Sequence, residues 1–183
     1  MAWIIIGIIA FLVIAAIAIY NNLVRNRKEV DNGWAQIDVQ LKRRCDLIPN
    51  LVETVKGYAA HEAGLLEKVT QARSAALSPN LNTENRIAAE TQLTGALKGL
   101  MVQVEAYPDL KANQNFLALQ EELTATENRI SFARQHYNDT ATNYNTAIAV
   151  FPACIFAAMF NFKEAALWQI TDPVEREVPK VKF

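Results

Sequence analysis

Residues 116–151 read FLALQEELTATENRISFARQHYNDTATNYNTAIAVF. Phe116, Leu123, Ile130, Tyr137, Tyr144 and Phe151 recur every seven residues without a miss. Their companions Leu119, Thr126, Ala133, Thr140 and Ala147 are small or medium. A seam of large residues beside a seam of small ones lets neighbouring helices interdigitate. A repeat this long predicts a helix of about 40 residues, ~60 Å in length. No globular core needs that length, whereas an elongated antiparallel bundle or coiled coil does. Pro108 suits the first position of this helix, and Asp109 suits the positive end of its dipole. Pro152 ends or kinks it.

Working back along the chain, Trp34, Ile37, Leu41, Cys45, Ile48, Val52, Val55 and Ala59 are separated by steps of three and four. Such steps place them on one face of a helix. Residues 21–77 therefore read as one long helix, its stripe continued by Leu65, Leu66 and Val69. Pro49 removes one backbone donor, so a kink or a break is expected around 45–50. Ser78, Pro79 and Asn80 end this helix. Asn82 or Thr83 caps the next, over about 84–107, whose stripe is Ile87, Leu93, Leu97, Leu100, Met101 and Val104. Gly95 and Gly99 share a face of it and are expected to let another helix approach closely.

The chain opens differently. Residues 2–20, AWIIIGIIAFLVIAAIAIY, carry no charged side chain. As a helix they span roughly 28 Å, close to the ~30 Å hydrocarbon core of a bilayer. A cleaved signal peptide, with Ala16-Ile17-Ala18 as its cleavage site, is the competing reading. That reading needs a basic leader and a shorter apolar core, and this run shows neither. The expected organisation is a transmembrane anchor over 1–20, a helical-bundle domain over 21–170 and an extended tail over 171–183. Arg25, Arg27 and Lys28 follow the run. Basic flanks stay on the cytoplasmic side. The expected location is thus a bacterial cytoplasmic (inner) membrane, crossed once, with the amino terminus outside and the body inside.

Composition narrows the function classes. The net charge is −1 with both signs interspersed, so no nucleic acid is expected as a partner. Cys45 and Cys154 are far apart and form no metal spacing, which fits two thiols in a reducing compartment. His61 and His136 are the only histidines and have no ligand spacing. No phosphate-binding glycine pattern is present, and Glu121 and Glu122 point to different faces of a helix. No enzyme activity, cofactor or metal is expected.

Two polar clusters flank the apolar stripes. Lys42, Arg43 and Arg44 lie near Asp46, Asn50 and Glu53, and Thr126, Glu127, Asn128 and Arg129 lie near Arg134. Charges beside a heptad seam set register and partner choice. Residue 43 would stand ~35 Å beyond the membrane exit, several Debye lengths from lipid. A carboxylate is therefore the expected partner of Arg43 or Arg44: Glu127, Glu53 or one from a neighbouring subunit. Trp34, Arg43, Arg44, Phe116, Glu127, Arg129, Tyr137, Tyr144 and Phe151 are the expected helix–helix or subunit contacts. The stretch 151–170 is expected to hold a short helix packed on the bundle, with a membrane surface or another subunit as the alternatives.

Three blocks carry a family likeness. They are YNNLVRNRKEVDNGWAQIDVQLKRRCDLIPNLVETVKGYAAHE (20–62), MVQVEAYPDLKANQNFLALQEELTATENRISFARQHYNDTATNYN (101–145) and AVFPACIFAAMFNF (149–162). Together they resemble the bacterial LemA family over most of the chain beyond the apolar run. The resemblance implies one amino-terminal span, an outside amino terminus and a helical-bundle body; it implies no reaction. Some magnetosome-membrane proteins look similar, which points towards membrane organisation. The expected function is a non-enzymatic, membrane-anchored scaffold whose partners are the lipid bilayer and further copies of itself, forming a homo-oligomer. The alternative is a tethered adaptor that docks another membrane protein, such as a protease or a transport component.

Overall fold

The computed structural model describes residues 1–59, 62–79 and 81–168. Among them every regular element is a helix, as expected: α1 (Ala2–Lys56), α2 (Ala63–Ala76), α3 (Thr83–Val104), α4 (Pro108–Lys111), α5 (Gln114–Ala149) and α6 (Ala153–Met159). His61 and the tail expected over 171–183 lie outside the described residues.

α1 is a single helix of 55 residues. Its leading part is exposed, and it is long and apolar enough to cross a membrane. Pro49 lies inside α1 and does not break it, so of the expected kink or break the break does not occur. A proline at 49 leaves the carbonyl of Cys45 without its intrahelical donor. Arg73 Nε of α2 donates to that carbonyl at 2.7 Å, so the lost bond is replaced from outside. The chain turns instead after Lys56, and the expected long helix over 21–77 is divided between α1 and α2.

α5 runs antiparallel to α1. Glu127 meets Arg44, while Tyr137 lies against Gly33. α3 runs parallel to α1, with Arg86 on Asp38 and Glu90 on Arg44. The outer half of the body is thus an up-down-up-down bundle of α1, α2, α3 and α5, the usual result of short loops between long helices. Its core joins Cys45, Ile48, Leu51 and Val55 to Val69, Leu93, Leu100, Phe116 and Leu123. Asn82 and Asn113 cap α3 and α5 by accepting from the amides of Asn85 and Phe116. Pro108 heads a separate turn, α4, so α5 begins at Gln114 rather than at Pro108.

The half nearer the apolar run is built otherwise. There a second core joins Leu23, Val30, Ile37 and Leu41 to Ile130, Tyr137, Tyr144, Ile148, Ala157 and Trp168, and α3 contributes Ile87, near its start, as its buried residue there. After α6 the chain returns along α5 as a strap over 162–168. Asn161 makes the reversal at φ 56°. Phe162 N donates to Ala157 O and Asn161 N to Ala158 O, the Schellman pattern of a helix end.

The strap is held by side chains seven apart on α5. Tyr144 Oη donates to Lys163 O and Tyr137 Oη to Ala166 O. Asn145 binds both the N–H and the C=O of Ala165, and Asn138 binds both on Trp168. Seven helical residues rise ~10.5 Å, and three residues of extended chain cover ~10 Å. The heptad therefore matches a step of three on the strap.

Phe116, Leu123, Ile130, Tyr137 and Tyr144 are all buried, but Phe151 is 80% exposed. α5 stops at Ala149, so the sixth repeat lies past the helix end. The glycine expectation also changes. A Cβ on Gly95 would meet nothing within 4 Å, and one on Gly99 would only touch Leu65 Cδ1 at 3.9 Å. The close approach is at Gly33, where a Cβ would come within 3.2 Å of Thr140 Oγ1 and 3.3 Å of Tyr137 Cα.

Candidate functional site

In the outer bundle α1 packs on α2 and α5, and α2 packs on α3, but α3 and α5 barely meet. The seam between them is an open groove of about 920 Å³. Thr91, Gly95, Lys98, Met101 and Val102 form its α3 wall, and Gln120, Thr124, Asn128 and Ser131 its α5 wall. Gly95 widens the groove because it places no side chain there. Val102, at the α3 rim, is largely exposed.

The floor is an ion cluster. Arg44 crosses the bundle diagonally from α1 and is fully buried. Its Nη1 donates to Glu127 Oε2 at 2.8 Å and to Thr94 Oγ1 at 2.9 Å, and its Nη2 donates to Glu90 Oε2. One guanidinium thereby ties α1, α3 and α5 together where the last two barely meet, a task suited to its planar fork of donors. Burial alone would lower the Arg44 pKa, but Glu127 and Glu90 outweigh it and hold it above the ordinary arginine value. Arg86 extends the cluster, meeting Glu90 at 3.4 Å and Asp38 at 2.7 Å. Burial also pushes the nearby Cys45 thiol up, away from the thiolate that chemistry would need.

The other expected contact residues fall in three places. Arg43 pairs with Glu122 at the surface. Phe116 belongs to the outer core, Tyr137 and Tyr144 to the inner one. Trp34 stacks edge-on against Tyr137 at 5.3 Å and lies 5.7 Å from Trp168, over whose ring the Arg134 guanidinium sits at 4.5 Å. Arg129 is exposed. Of the membrane-flanking bases, Arg25 and Arg27 are exposed, while Lys28 pairs with Asp31 at 3.1 Å.

Glu90 is the residue that sequence reading missed. Its signal was present: Ile87, Glu90 and Leu93 are three apart, so a carboxylate sits on the apolar face of α3. Arg44 occupies the matching place between Leu41 and Ile48. Among the described residues no group of three or more His, Cys, Asp or Glu side chains is placed to hold a metal ion.

The family model described as the LemA family matches residues 33–183. A protein named LemA from Metamycoplasma hominis is 28% identical over 85% of this chain and 71% of its own length. Two magnetosome proteins named MamQ from Paramagnetospirillum magneticum are 24% identical over 82% of this chain. A MamQ from Magnetospirillum gryphiswaldense is 22% identical over 79% of it. The matches span 64% and 62% of these magnetosome proteins, less than two thirds of their length.

Proposed function

The chain belongs to the LemA family, and from that membership we propose a non-enzymatic, membrane-anchored helical scaffold that self-assembles and organises the membrane holding it. Residues 2–20 are the anchor, uncharged and exposed apart from half-buried Ala15, Ala16 and Ile19. The exposed Arg25 and Arg27 favour a body on the cytoplasmic side of a bacterial inner membrane. Similarity to proteins named for an organelle, the magnetosome, agrees with a structural part in a membrane.

The observation that carries assembly is the open α3–α5 seam. The heptad residues from Phe116 to Tyr144 are consumed inside the chain, so they are not the surface that joins copies. The groove is an unfilled surface of the body, with apolar Met101 and Val102, polar threonines and a charged floor. That mixture suits a docked helix. Copies tethered in one bilayer meet at high effective concentration, which favours a second copy as the occupant.

The test is a V102C variant expressed in cells and treated with a short bifunctional thiol crosslinker, with the native chain as control. Self-adducts that depend on Val102→Cys, together with oligomers by light scattering in nanodiscs, are the expected result. A uniform monomer at high concentration would overturn self-assembly. One dominant foreign adduct would replace the scaffold by the adaptor.

A further inference from the structure

We propose that the segment from the end of α5 through α6 lies in the face of the bilayer, beside the span, as a second membrane contact. The inference rests on the reading of residues 2–20 as a span, and it concerns a different part of the chain.

The antiparallel run of α5 brings its end back to the start of the body. The Tyr20 ring stands 4.8 Å from the Phe160 ring and 6.0 Å from that of Phe162. α6 then reaches further along α1. Within 2–20 the half-buried residues are Ala15, Ala16 and Ile19, which share one helical face, while the others are exposed. Ile19 packs, as do Ala153 and Phe156, on the core cluster that contains Ala157. If the apolar run fills the hydrocarbon to Tyr20, α6 enters the layer by about one helical turn, ~5–6 Å. Interfacial segments bury their apolar faces ~5–10 Å into the headgroup–acyl boundary.

The outward surface has the matching chemistry. Phe151 and Met159 are 80% and 68% exposed, and Val150, Ile155 and Phe160 are about half exposed. No charged residue occurs over 140–162, and charge resumes at the exposed Lys163 and Glu164. A contiguous apolar surface of this kind is unfavourable in water and is relieved in lipid. Its position beside the span commits it to the same bilayer. A second copy covering it is the outcome that the test must separate.

The full chain with Cys154→Ala, in which Cys45 stays buried, is given single cysteines: I155C or M159C on the patch, I9C in the span and F132C on the body. Each is labelled with an environment-sensitive fluorophore and reconstituted into phosphatidylcholine–phosphatidylglycerol vesicles, with and without acyl-chain spin-labelled lipid. The expected result is a blue shift and loss of intensity with spin-labelled lipid at 9, 155 and 159, and neither at 132. Labels at 155 and 159 that behave like 132, while 9 is quenched, would overturn the inference and leave the anchor standing. Labels at 155 and 159 that are blue-shifted but not quenched would assign the patch to protein and overturn it too. A label at 9 that escapes quenching would remove the anchor reading, and this inference with it.

Discussion

Pro49 has no amide hydrogen, and Arg73 Nε stands where that hydrogen bond would have been, 2.7 Å from the Cys45 carbonyl. Arg73→Ala should orphan a part-buried carbonyl and cost about 1–3 kcal/mol. In a Pro49→Ala background the helix supplies its own donor, so the same change should cost clearly less. Thermal unfolding of the four proteins of this cycle in detergent would show the coupling, and additive losses would refute the exchange of donors. At Arg44 the balance is electrostatic. Arg44→Met removes the main partner of the fully buried Glu90 and leaves it only the longer contact with Arg86, so a loss of up to about 3–5 kcal/mol is expected. Arg44→Met with Glu90→Leu should recover much of that loss, since apolar replacement of a buried ion pair is often neutral. Denaturant midpoints of the single and double variants check it. The sequence placed Arg44 and Glu127 in polar clusters but gave no reason to join them to Glu90, because their meeting depends on how far α3 stands from α5.

At the scale of elements, the heptad in α5 was legible and its partners were not. Large residues every seven positions predict a long helix whatever packs on it. Here the repeat changes from Phe116, Leu123 and Ile130 to Tyr137 and Tyr144 where the bundle gives way to the strap. The two hydroxyls then find backbone carbonyls, and Asn138 and Asn145 act as amide mimics beside them. Sequence reading weighed the size of these side chains and passed over their hydrogen-bonding ends. Asn145→Ala removes both bonds to Ala165 and should speed amide exchange over 162–168 while leaving α2 and α3 unchanged. Asn161→Gly should keep the turn, because glycine accepts its positive φ, whereas Asn161→Val should loosen the strap in the same measurement. Pro108 misled for a local reason: a proline marks a helix start, but it cannot say whether the helix lasts one turn or ten.

Across the whole molecule, two cores share α1 and α5 and are closed by different third parties: the α2–α3 hairpin in one half and the strap in the other. The all-helical class and the apolar opening run could be read from the sequence, since both follow from local pattern. The open seam could not, because a groove is set by the spacing of helices remote in sequence. Gly33 lies in the strap-closed half, and a leucine there would push against Tyr137 Cα, a backbone atom that cannot rotate away. Gly33→Leu should cost about 1–3 kcal/mol by overpacking, with exchange faster in the inner half than in the outer one.

α1 runs from its first turn to Lys56 as one unbroken helix. Its last 36 residues or so form an arm ~54 Å long beyond Tyr20. Helices in bilayers answer changes of thickness by tilting. A tilt of about 10° would swing the far tip by ~9 Å on such an arm, so a thinner or thicker patch of lipid is reported at the top of the bundle as a sideways displacement.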